Sequence, residues 1–167
     1  LVIQQEIRKL YYMQKISRPS IFSSSPMPMM SSSSSMGSEN CACCLQTAAL
    51  GNELMNAATS FHKLHLKVTG LGSYASHKAL NEIYDALPGH ADDLIESFQG
   101  AAEKILDLPN TMPRTLNTVE EALSYLRDLT SQVDALQEIM PYSNIINDLD
   151  NVKSSIDGVK YKLLFLK

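Results

Sequence analysis

The sequence predicts an all-α protein, a four-helix bundle with one long crossover between helices two and three. Three observations predict it. Apolar residues recur at alternating gaps of three and four from Ser38 onward, and the two-residue alternation of a strand is missing. Breaks at Gly70-Leu71-Gly72, at the two-proline stretch DLPNTMPRTLN (107–117) and at Pro141 divide the chain into four long segments.

The first segment carries Leu50, Leu54, Ala57, Phe61, Leu64 and Val68 along one side. Gly70 and Gly72 end it, and Ser73 is the expected N-cap of the second helix. That helix repeats the seam as Leu80, Tyr84, Leu87, Ala91, Leu94 and Phe98, and is expected to run to about Leu106. Pro88-Gly89 inside it predicts a kink. The crossover follows, with room for a turn of helix. Asn117 with Glu120 reads as an Asn-led relative of the capping box. The third helix then shows Val119, Leu123, Leu126, Val133, Leu136 and Met140. The last shows Ile145, Leu149, Val152, Ile156, Val159, Leu163 and Leu166. Two helical hairpins joined by one long crossover have the ferritin-like connection, so the expected class is a ferritin-like four-helix bundle over residues 38–167.

Residues 1–37 read as a separate, disordered Ser-rich tail or leader: IFSSSPMPMMSSSSS has no periodicity with which to bury area. Met36 after the serine run is an alternative start of translation, and the basic, acid-poor composition also fits an organelle transit peptide. Overall charge is −4, but residues 1–35 carry +3, leaving −7 for the remainder. An acidic body repels nucleic acid, so only the tail offers DNA a contact. No apolar run is long enough to span a membrane. All three cysteines sit in Cys41-Ala42-Cys43-Cys44 with no distant partner, which predicts reduced thiols and a cytoplasmic location. On a helix Cys41 and Cys43 point apart, so these thiols read as structural rather than metal-binding.

Within HLKVTGLGSYASHKALNEIYDALPGHADDLIES (65–97), the second helix carries a polar stripe: His77, Asn81, Asp85, Asp92 and Glu96. Lys78 is the only lysine between His77 and Glu96, and it lies off the stripe. Acid and imidazole without compensating base suit a divalent cation. His77 and Asp92 are nevertheless about 22 Å apart on a continuous helix, too far to share an ion. His65, across the glycine turn, can approach His77. The carboxylates can meet the histidines only in a second chain, if two copies of this helix cross antiparallel about a two-fold axis near Ala86–Leu87.

His65, His77, Asn81, Asp92 and Glu96 fall in the pattern His-x11-His-x3-Asp-x10-Asp-x3-Glu, with every spacing kept and four of five identities. This resembles the ferroxidase signature of the Dps family, the miniferritins that protect DNA in starved cells. LHLKVTG (64–70) and the final helix extend the resemblance to about residues 41–167. The resemblance implies a homo-oligomer of twelve subunits built from two-fold dimers, in which ferrous iron is oxidised by dioxygen or hydrogen peroxide and stored. It implies that His65 of one chain works with Asp92 and Glu96 of another, and His77 with residue 81. Asn81 departs from the pattern: an amide oxygen ligates without bringing charge, so the second iron is expected to bind more weakly. Leu66 stands where the family often has tryptophan. The alternative is a ferritin-like structural or nucleic-acid-packaging protein with a degenerate metal site and no catalysis. A plain helical interaction module is a third reading.

Other polar residues read more simply. His62 and His90 are expected to pack or cap, and Glu53, Asp85, Asp93 and Glu103 to be surface charge. No Glu-x-x-His pair, phosphate loop or nucleophile elbow is present.

Overall fold

The computed structural model describes residues 41–166. The expected leader, 1–37, lies outside the described residues. Four helices follow in order: α1 (Ala42–His65), α2 (Ser73–Ala102), α3 (Val119–Ile139) and α4 (Ser143–Phe165), with no strand among the described residues. The described residues are therefore all-α, a four-helix bundle. None of these helices is long and apolar enough to cross a membrane.

The seams read from the sequence are the core. Leu54, Phe61, Leu80, Leu87, Leu126, Leu136, Leu149 and Ile156 all lie in one buried cluster. Four expected positions differ: Val68, Tyr84 and Val119 are only partly buried, and Leu166 is exposed because α4 ends at Phe165. The extensive helix contacts are α1 with α2, α2 with α4, α4 with α3, and α3 with α1. Pairings along the helices set their directions. Phe61 meets Tyr125 between α1 and α3. Glu82 pairs with Lys162, and His90 with Ser155, between α2 and α4. Lys153 pairs with Asp134 between α4 and α3. A second pairing fixes the direction of the others, since Gln137 donates to Asp150 and Leu50 lines one cavity with Gln132 and Ala135, so each of these neighbouring pairs runs antiparallel.

Residues 104–117 contain no helix, contrary to the expected turn. They lie along α1. Asn52 and Asn56 donate to the Thr111 hydroxyl at 2.6 and 2.8 Å. Arg114 reaches Glu53 at 3.2 Å and Asp128 at 2.6 Å, with its guanidinium 3.9 Å above the Tyr125 ring. Glu53 is thus an anchor for this segment, not the free surface charge expected.

Several boundaries move. Gly72, not Ser73, is the N-cap of α2, in the left-handed conformation (φ 76°) that glycine adopts without strain. α2 ends at Ala102 rather than near Leu106, because Glu103 turns left-handed (φ 50°). Gln99 then closes the end, its side-chain oxygen accepting from the Leu106 backbone N–H. Pro88 does not break α2. It lies on the exposed face, where solvent is available to the carbonyl left without a donor.

The α3 capping box is one residue later than expected, on Thr118 and Glu121. The Thr118 hydroxyl accepts from the Glu121 N–H at 3.1 Å, and the Glu121 carboxylate accepts from Thr118 and Asn117 backbone N–H groups. Thr118→Ala is expected to cost about 1 kcal/mol in denaturant unfolding. Asn117→Ala, which removes no side-chain cap, is expected to stay within about 0.5 kcal/mol of wild type.

Candidate metal centre at the α1–α2 turn

Residues 66–72 reverse the chain, and this brings His65, at the last turn of α1, against His77 in the second turn of α2. The two imidazoles stack with centroids 3.7 Å apart and planes 24° from parallel. Each ring is fixed by the other residue's backbone. His65 Nδ1 lies 2.9 Å from the His77 carbonyl, and His77 Nδ1 lies 3.1 Å from the His65 carbonyl. A carbonyl oxygen only accepts, so both Nδ1 atoms carry protons in these bonds. In the neutral rings both lone pairs are then on Nε2. Backbone carbonyls commonly orient metal-ligating histidines in this way.

Around the pair is a ring cluster that the sequence reading missed. The Tyr84 ring meets the edge of His65 at 5.1 Å and stacks on His62 at 4.2 Å. Its hydroxyl donates to Asn81 Oδ1 at 3.0 Å. Tyr84 was legible only as a seam residue, although its place three after Asn81 puts the two on one helix face. His62 is exposed, with one ring face stacked on Tyr84. His90 packs: its Nε2 is 2.8 Å from the Ser155 hydroxyl, and burial holds its imidazole below the usual range against the pull of Asp93 and Asp148.

The remaining candidates are not brought to the histidines within one chain. Asp92 and Glu96 stand on the exposed face of α2, one turn from each other, with Asp85 and Asp93 also exposed. Because α2 is unbroken, His77 and Asp92 are separated by about 22 Å along it. Glu82, the nearest acid to Asn81 in sequence, is engaged by Lys162. His65 is buried, whereas His77 and Asn81 are half-buried. Among the described residues, three or more potential ligand groups converge only at Cys41, Cys43 and Cys44.

The donor set suits a divalent first-row cation in its chemistry: two oriented imidazoles at one end, two carboxylates without a partner among the described residues at the other. Asn81 fits less well, since its amide oxygen already accepts from Tyr84 and brings no charge.

No curated protein and no solved structure matches the chain. A family model does, over residues 65–163, a stretch that opens on His65 and takes in all five candidate ligands. That match covers more than half of the 167 residues, so the chain belongs to the Family of unknown function (DUF5856).

Proposed function

We propose that this protein is a Dps-like ferroxidase and iron-storage subunit, with ferrous iron as its substrate at a site shared between two chains. The observation that carries the reading is the histidine pair. Reciprocal Nδ1–H bonds to backbone carbonyls fix both rings and direct the lone pairs to Nε2. His65 of one chain, with Asp92 and Glu96 of its partner, makes the stronger site. His77 and Asn81 make the weaker one.

Three further features support the two-chain arrangement. An unbroken α2 keeps the acids away from the histidines of their own chain. The middle of its outer face is small: Gly89 has no side chain, and a Cβ there would face open space among the described residues. Leu66, Leu71 and Tyr74 are exposed beside the histidine pair, apolar area that a partner would cover. The helix pairing supports the ferritin-like connection as well. If α1 is antiparallel to α2 and α3, then α2 and α3 run parallel, and residues 103–118 cross the length of the bundle.

In the reaction, one electron leaves each ferrous ion for dioxygen or peroxide, and the carboxylates favour the higher charge of the ferric product. The buried His65 and its stacked partner hold position without rearranging. The test is aerobic addition of ferrous iron to the full chain, followed by ferric absorbance, with native sizing. A shell of twelve chain masses and oxidation faster than protein-free buffer support the reading; a monomer, or a rate equal to buffer, overturns it.

Asn81 favours the second reading, an assembled ferritin-like structural or nucleic-acid-packaging protein without catalysis, because its oxygen is occupied by Tyr84. Asn81→Asp decides between them. On the ferroxidase reading the added charge raises iron oxidation several-fold; an unchanged background rate favours the packaging protein.

A further inference from the structure

The three cysteines do not behave as their spacing on a helix predicts. Positions two apart on a helix diverge by about 200°. Cys41, however, is the N-cap of α1, with an extended backbone (φ −72°, ψ 140°), so its side chain turns back over the first turn. Its sulfur accepts from the Cys44 backbone N–H at 3.1 Å and lies 3.1 Å from the Cys43 sulfur. Cys41 and Cys44 are joined as a disulfide, and Cys43 is free. The three sulfurs lie within 4.8 Å of one another. This corrects both expectations from the sequence: the thiols converge, and two of them pair.

We propose that, when reduced, Cys41, Cys43 and Cys44 form a three-thiolate site for one soft d10 cation, and that the Cys41–Cys44 disulfide closes it. The Cys44 backbone N–H donates to the Cys41 sulfur, and no acid stands in the first turn of α1. Cys41 and Cys43 are partly exposed, giving a cation access, while Cys44 is buried against the bundle. Beside it a shallow cavity of about 170 Å³ is lined by Lys104, Ile105 and Asp107 as well as Cys44. Sulfur ligands without imidazole or carboxylate favour soft ions. The cluster opens α1 and His65 closes it, about 36 Å away over 24 residues, so this inference stands apart from the iron reading.

The gating reaction balances with a dithiol as reductant. Two electrons and two protons pass to the Cys41–Cys44 bond, giving two thiols, and the dithiol becomes a disulfide. The cation then displaces the thiol protons.

The test uses the full chain, reduced with dithiothreitol, desalted without oxygen and titrated with cadmium(II). Expected is a sulfur-to-metal charge-transfer band that saturates at one equivalent, with all three thiols protected from alkylation. Diamide treatment should abolish the band and remove two alkylatable thiols. Cys43→Ser should weaken binding at least about tenfold, the scale on which changes in a ligand shell act. No band in the reduced protein, a wild-type titration in Cys43→Ser, or an undiminished band after diamide overturns the proposal.

Discussion

His65→Ala is expected to lower iron oxidation at least about tenfold, and Asp92→Asn with Glu96→Gln to do the same from the other end of α2. The two lesions differ physically. His65 is buried, stacks on His77 and donates to its carbonyl, so its removal also loses ring packing and a hydrogen bond worth about 0.5–1.5 kcal/mol of stability. Asp92 and Glu96 are exposed, and their amides change charge while leaving the bundle as it is. The decisive measurement mixes the two inactive variants after dissociation and reassembly. In a mixed two-fold dimer one site inherits both lesions and the other inherits neither. Random pairing therefore restores about one-quarter of wild-type sites. A mixture no more active than its parents would show that the histidines and acids do not cooperate across chains, and the ferroxidase reading would fall with it.

Phe61→Ala is expected to be the most destabilising single change in the α1–α3 interface. Phe61 is fully buried, and its ring lies 5.3 Å from that of Tyr125, also buried, which carries Arg114 on its ring. Truncation empties an aromatic volume that helices cannot close by moving a few side chains, at a cost of about 3–5 kcal/mol. It also loosens the support of Tyr125. That hydroxyl has no hydrogen bond of good geometry, and burial with Glu53 beside it pushes the phenol well above its usual pKa range. Phe61→Leu keeps most of the volume and should cost under about 2 kcal/mol. Both are read from denaturant midpoints at one protein concentration, since assembly would make stability concentration-dependent. A loss below about 1 kcal/mol for Phe61→Ala would mean that α1 and α3 do not share this core.

The two experiments address different levels. Unfolding of Phe61→Ala reports the bundle alone, and iron oxidation by mixed variants reports the contact between chains. A protein that passes the first and fails the second is a helical bundle whose histidine pair is a packing device.

Much of the bundle is written in the sequence because helical periodicity is repeated evidence: each seam has six or so apolar residues, and one misplaced residue does not erase the pattern. The approach of His65 to His77 was legible for a related reason, since a glycine-marked turn with equal arms on either side forces two helix ends together. Caps were less legible. Whether Asn117 or Thr118 starts α3 depends on which side chain finds a backbone N–H in the right geometry, and the sequence offers both. Pro88 predicted a kink by local rules, and the structure keeps α2 one continuous helix across it, with Leu87 and Ala91 buried on either side.

The helix repeat alone marks most of the buried residues and the polar groups that share a face. Only the tertiary structure decided that two imidazoles stack with their Nδ1 protons committed to each other's backbone. It alone decided that Tyr84 occupies the oxygen of Asn81, that Arg114 is anchored by Glu53, and that three sulfurs meet at one helix end. Each of these depends on a ring orientation, a non-helical cap or a partner more than a helical turn away. Such relations are set by three-dimensional packing, which no repeat along the chain encodes.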